Sequence, residues 1–175
     1  MRITVSGPPG SGTTSLAKYL AAKYDLTFIS AGEVFRQLAR EHEMDLSAFG
    51  EYAKRDPSVD KMIDARQKEI GENTRDIVVE GRLSGWMVEN ADLKIWLNAS
   101  LHCRAERISG RDQLDAEAAR EKTLERQRCE AERYLGYYDI DINDCSPYDL
   151  VLSSERFKVE ELGSIVDAAI ACLKQ

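Results

Sequence analysis

Apolar positions along the chain alternate between short continuous runs and a helical period. Arg2-Ile3-Thr4-Val5-Ser6, Leu26-Thr27-Phe28-Ile29, Ile77-Val78-Val79-Glu80, Leu93-Lys94-Ile95-Trp96-Leu97 and Leu150-Val151-Leu152 read as five strands. The unbroken run at 77–79 suits a strand buried on both faces of a parallel sheet. Between the strands, apolar residues recur at helical spacing. Leu16, Ala17, Leu20 and Ala21 mark a first helix, and Val34, Phe35, Leu38 and Ala39 a second. Ser30-Ala31-Gly32-Glu33 has capping-box spacing, so the second helix is expected over 31–42. A short helix over 44–54 carries Leu46, Phe49, Tyr52 and Ala53. Asp56-Pro57 opens another, with Asp as N-cap and Pro at the first helical position. That helix should turn Val59, Met62, Ile63 and Ile70 inward, and Lys61, Asp64, Arg66, Gln67 and Lys68 largely outward.

Downstream, Ser100 can cap a helix over 101–109, which Gly110 should end. Asp115 can cap a long helix reaching toward Leu135, with only a thin apolar seam at Ala119, Leu124 and Ala131. Residues 139–148 form an acidic loop broken by Pro147, and Val159–Leu173 closes the chain as an amphipathic helix. Strands alternating with helices predict an α/β fold with a five-stranded parallel sheet. Two features depart from simple alternation: a helical insertion after the second strand and an arginine-rich segment after the fourth.

Composition narrows the picture. A chain of 175 residues fits a single domain, and 43% hydrophobic with 31% charged residues describes a soluble globular protein. No apolar run approaches the roughly 20 residues that cross a bilayer, so no membrane partner is expected. Met1 runs directly into the first predicted strand, and no signal peptide is expected. Cys103, Cys129, Cys145 and Cys172 are scattered without metal spacing, which points to reduced thiols and a cytoplasmic protein. A net charge of −7 argues against nucleic acid as the partner, despite the arginines near Tyr134, Tyr137 and Tyr138. Trp86 and Trp96 read as packing residues, His42 and His102 as surface residues.

The chemistry starts between the first strand and the first helix. Gly7, Pro8, Pro9, Gly10, Ser11, Gly12, Thr13, Thr14 and Ser15 match the phosphate-binding loop G-x-x-x-x-G-K-[ST] at every point except the lysine, where Thr13 stands. Glycines let successive N–H groups turn into one cavity, and the free amides of the following helix face the same place. Thr14 retains the hydroxyl that coordinates Mg²⁺ in such loops. The plainer alternative is a tight strand-to-helix turn without a ligand.

The layout with its two insertions resembles the nucleoside monophosphate kinases. Ser30-Ala31-Gly32-Glu33-Val34-Phe35-Arg36, Val79-Glu80-Gly81-Arg82-Leu83-Ser84-Gly85-Trp86-Met87, Ala91-Asp92-Leu93-Lys94-Ile95-Trp96-Leu97, Arg133-Tyr134-Leu135 and Tyr148-Asp149-Leu150 are similar to the archaeal branch of the cytidylate kinases. The resemblance implies a three-layer P-loop fold with a helical NMP-binding insertion at 31–73 and an arginine-rich lid at 104–135. The core would then comprise 1–30, 74–103 and 136–175. It implies ATP and CMP or dCMP as substrates and Mg²⁺ as cofactor; a monomer is expected, though the sequence itself is silent on oligomeric state. In that branch the loop reads Gly-Thr-Thr, which would make Thr13 a family trait. Other small-acceptor kinases (of AMP, UMP or shikimate) remain open, as does a regulator that binds nucleotide without catalysis.

Without a loop lysine, another cation must meet the β- and γ-phosphates. Seven of the fifteen arginines lie between Arg104 and Arg133. Arg104 and Arg107 are spaced i, i+3 and can reach one side of a helix. Arginine suits the task because it is permanently charged and contacts phosphate oxygens in pairs. The resemblance assigns lid roles to Arg104, Arg126 and Arg133, with Arg82 and Arg107 as further catalytic candidates. Arg111, Arg120 and Arg128 read equally well as a solvated face. By the same resemblance Arg36 and Arg82 would grip the acceptor's 5′-phosphate. Glu80 could hold a metal-bound water. Asp64 and Arg66, or Asp60, lie where a cytosine edge could be read; a solvated helix face is the competing account of that pair.

Overall fold

In the computed structural model five strands form one parallel sheet in the order β2-β3-β1-β4-β5. The strands are β1 (Arg2–Ser6), β2 (Thr27–Ser30), β3 (Ile77–Glu80), β4 (Leu93–Asn98) and β5 (Leu150–Ser153). The structure describes every residue except Pro57, Lys174 and Gln175, and the side chains of Leu46, Ser47 and Lys54. The helix start expected at Pro57 therefore lies outside the described residues.

Central strand β1 buries Ile3 and Val5 completely, as does β3 with Ile77, Val78 and Val79. Helix α1 (Thr13–Tyr24) lays Leu16, Ala17, Leu20 and Ala21 on the sheet, and α8 (Val159–Leu173) adds Leu162, Val166 and Ile170 to the same core. The register sets Val5 between Glu80 and Ile95, so the carboxyl ends of three strands finish side by side. Strand order reverses about β1, and the crevice beyond those ends is where open α/β sheets bind ligands.

The insertion is three helices: α2 (Ala31–Glu41), α3 (Leu46–Arg55) and α4 (Ser58–Asn73). Ser30 and Glu33 form the expected capping box at the start of α2. A separate small core of Val34, Leu38, Ala39, Phe49 and Val59 holds the three together, with Phe35 edge-on to Phe49. Two residues expected to face outward, Asp64 and Gln67, are buried, because α4 packs against the body of the protein on that side too.

Helix α5 (Ser84–Met87) is a single turn that the apolar pattern does not reveal. Helix α6 (Leu101–Asp112), capped by Ser100, runs past Gly110 and stops at Gln113, whose φ is 54°. Gly110 faces open space, where a helical glycine costs only about 1 kcal/mol and does not end the helix. Helix α7 (Ala116–Tyr138), capped by Asp115, turns Ala119, Thr123, Glu130 and Tyr134 inward, while Leu124, expected in the seam, is exposed. Tyr134 joins Leu83, Ile140 and Ile142 in a cluster that fixes the end of α7 to the body.

Candidate functional site

The loop between β1 and α1 is bent as phosphate binding requires. Gly10 and Gly12 have φ of 84° and 90°, left-handed values that a side chain would strain. At Gly7 the constraint is space: a Cβ would lie 2.4 Å from the Leu97 carbonyl oxygen. The first amide of α1 to donate to the Gly12 carbonyl is that of Leu16, so the amides of Thr13, Thr14 and Ser15 have no intrahelical partner. Helix dipole and free amides together form an anion-binding end.

That end opens into a cavity of about 520 Å³. Gly7, Pro8, Pro9, Thr13 and Thr14 form one wall, Ser30 at the end of β2, Gly32 and Phe35 from α2 and Ile63, Asp64 and Gln67 from α4 the other. Glu80 lies at the base, where its carboxylate accepts the Thr13 hydroxyl at 2.8 Å. Burial raises the Glu80 pKa, against the hydrogen bonds of Thr13 and Thr14. The side-chain amide of Gln67 donates to the Glu80 carbonyl at 2.8 Å and holds the end of β3.

Three arginines and no lysine line the cavity among the described residues: Arg82, Arg126 and Arg133. Arg82, on the loop after β3, packs over the Trp96 ring and donates through Nε to Glu130 at 2.8 Å. Burial pulls its pKa below the ordinary value, against the opposing pull of Glu130. Arg126 donates through Nε to the other Glu130 oxygen at 2.7 Å. Arg133 pairs with Asp60 of the insertion. Asp64, also on the insertion wall, accepts the Tyr138 hydroxyl at 3.0 Å, and burial pushes its pKa up to about 6.

The model of the cytidylate kinase-like family matches residues 2–156. The chain belongs to the cytidylate kinase-like family. It is 70% identical over 173 residues to the cytidylate kinase of Methanoculleus marisnigri, covering 99% of this chain and 96% of the relative. It is 64% identical to that of Methanoregula boonei, over 100% and 97% of the two chains. The fold is shared with the shikimate kinase of Bacteroides thetaiotaomicron at a TM-score of 0.68, with 15% identity over 100% and 99% of the chains.

Within this cytidylate kinase-like fold, the expected site residues separate into groups. Arg82, Arg126, Arg133 and Asp64 meet at the cavity together with five loop residues. Gly10, Ser11, Gly12 and Ser15 stand outside its lining. Arg104 and Arg107, expected to face the phosphates, do not line it. Buried Arg104 donates to the carbonyls of Ala99 at 3.1 Å and Pro9 at 3.2 Å, and to Gln127 at 2.9 Å. Arg107 donates to the Gly10 carbonyl at 3.3 Å and to Ser154. Their i, i+3 spacing puts both on one side of α6, but that side faces the carbonyls beneath the loop. The two arginines therefore brace the loop from below.

Arg66 is likewise placed elsewhere: it donates to both carboxylate oxygens of Glu41, at 3.1 and 3.2 Å, on the outside of the insertion. A pair of Asp64 and Arg66 facing one base is not formed, since residues two apart on a helix point in different directions. Arg36 is exposed on α2, one turn beyond the cavity-lining Gly32. Gln67 and Glu130 were missed as site residues. Neither has a signal in the chain beyond an ordinary polar position on a charged helix; only packing turns them inward.

Proposed function

We propose that this protein is a cytidylate kinase that transfers the γ-phosphoryl group of ATP to CMP or dCMP, giving ADP and CDP or dCDP. The observation that carries the reading is one cavity lined by the glycine-rich loop, by Phe35 and Asp64 of the insertion and by three arginines. Phosphoryl transfer needs alignment and charge neutralisation more than covalent chemistry. An oxygen of the acceptor's 5′-phosphate attacks the γ-phosphorus, and the bond from that phosphorus to the β–γ bridging oxygen breaks.

Each residue then takes a role that its position supports. Of the amides of 10–14, those of Thr13 and Thr14 border the cavity and hold the β-phosphate region, with Gly10, Ser11 and Gly12 shaping the bend behind them. Arg82, Arg126 and Arg133 supply the positive charge that a loop lysine would otherwise give. Asp64, when ionised, accepts the N4 amino group of cytosine, which is a donor. Arg36 reaches the acceptor phosphate from the rim as the insertion closes. The hydroxyl of Thr14 and, through water, the carboxylate of Glu80 are hard oxygen donors of the kind Mg²⁺ prefers, and their adjacency at the loop fits that ion. When bound, Mg²⁺ would offset charge on the phosphates.

The segments 31–73 and 104–135 act as closing parts around a core of 1–30, 74–103 and 136–175, excluding water from the reaction. Small-angle scattering with a bisubstrate analogue should show compaction. No helix among the described residues is long and apolar enough to cross a membrane. Four unpaired cysteines and nucleotide substrates suit a cytoplasmic enzyme. The deciding experiment is a panel of monophosphates in a coupled ADP-release assay: CMP and dCMP should turn over, and turnover of AMP but not CMP would overturn the proposal.

A further inference from the structure

We infer that Glu130 is a positioning residue: a built-in anion that sets the Arg82 and Arg126 guanidinium groups at the point of phosphoryl transfer. The inference rests on the kinase reading of the cavity and deepens it. A carboxylate in the wall of a site meant for phosphates needs an explanation, because it repels the ligand. Glu130 is not a solvated surface residue; it is 4% exposed and lines the cavity.

The hydrogen-bond pattern explains the carboxylate. Each Glu130 oxygen accepts from a different arginine, and in both cases from Nε. A guanidinium carries about five N–H donors. Arg82 and Arg126 each spend one on Glu130, on the edge nearest the chain, and their outer nitrogens make no hydrogen bond among the described residues. Arg82 Nη1 is buried and has no partner among the described residues. Its guanidinium also lies over the Trp96 ring, which fixes the plane. Glu130 thus holds two forks by their stems with the prongs unspent.

Charge supports the same conclusion. Arg104 lies close enough to Arg82 for their like charges to repel: burial lowers the Arg104 pKa, and that repulsion lowers it further. Bringing Arg126 to the same place without an intervening anion would drive the guanidinium groups apart before substrate arrives. Glu130 offsets that repulsion. It also ties α7 to the loop after β3, since Arg126 is one turn away on its own helix and Arg82 is 48 residues away in sequence. Preorganised donors aimed at developing charge act mainly on the transition state.

The test uses the full-length protein with ATP and CMP. Glu130→Gln keeps the size, removes the charge and leaves only one acceptor oxygen. Its kcat should fall by about 100-fold, the cost of displacing a catalytic group by roughly 1 Å, while KM for CMP changes less than about threefold. Glu130→Asp keeps the charge and should retain a higher kcat than Gln. In Glu130→Ala, added acetate should restore kcat in a saturable way and have no effect on the parent. A purely structural role would produce neither the charge ranking nor the rescue. A Gln variant within twofold of the parent kcat, equal Gln and Asp rates, or no acetate response overturns the inference. If Gln does not fold, the Asp and Ala measurements decide. A parent that turns over no monophosphate removes the kinase reading itself, whereas an active parent with an unaffected Gln variant removes only the role of Glu130.

Discussion

Replacing Gly7 by alanine tests the geometry of the phosphate loop with one added carbon. The added Cβ would sit 2.4 Å from the Leu97 carbonyl oxygen, 2.5 Å from Ser11 Oγ and 3.0 Å from the Thr13 methyl. Leu97 is fully buried in β4 and held in the sheet, and Ser11 is fully buried, so neither can yield cheaply. Ordinary contact begins at 3.4 Å, and the loop must retreat by about 1 Å to reach it. Gly7 is not in the left-handed region, so the cost is one of space alone. Overpacking of this kind destabilises by about 1–3 kcal/mol. A retreat of 1 Å in a phosphate cradle lowers kcat/KM by about 100-fold, or about 2.7 kcal/mol of transition-state stabilisation. The assay is ADP release over a range of ATP, paired with thermal melts with and without a non-hydrolysable ATP analogue. The parent should gain about 2.7 kcal/mol at a hundredfold excess of analogue over Kd, and the variant much less. Gly110→Ala is the control, since a Cβ there meets nothing; it should leave the rate unchanged and stabilise by up to about 1 kcal/mol. A Gly7→Ala protein with parental kcat/KM and analogue binding would refute the reasoning.

Three further perturbations follow from the site. Burial raises the Asp64 pKa from 3.8 to about 6, so the folded state binds the proton more tightly than the unfolded state, and stability falls as pH rises between those values. Asp64→Asn, which can still accept from Tyr138, should be more stable than the parent above pH 6 by up to about 3 kcal/mol, with the advantage gone below pH 4; urea melts across pH check it, and a constant difference would contradict it. Arg104→Ala strips donors from the Pro9 and Ala99 carbonyls and should cost about 2–4 kcal/mol and weaken ATP binding. Arg126→Ala, on a largely exposed side chain, should lower kcat with little change in Tm or ATP affinity; an unchanged Tm for Arg104→Ala would contradict the bracing role.

Sequence alone determined the order of the strands and of the helices other than single-turn α5, the glycine-rich loop after β1 and the insertion after β2, because those depend on local periods, caps and glycine geometry. The capping box at Ser30 and Glu33 is such a case, both partners lying within one turn. Tertiary structure decided which arginines reach the cavity. Arg104 and Arg126 are both cations on charged helices, yet one braces a loop and the other lines the cavity. Asp64, Gln67 and Glu130 are polar positions whose chain neighbours suggest solvent, and each is buried because its helix packs on more than one side. Helical spacing states which residues share a side; which partner that side meets is set by contacts between elements distant in the chain.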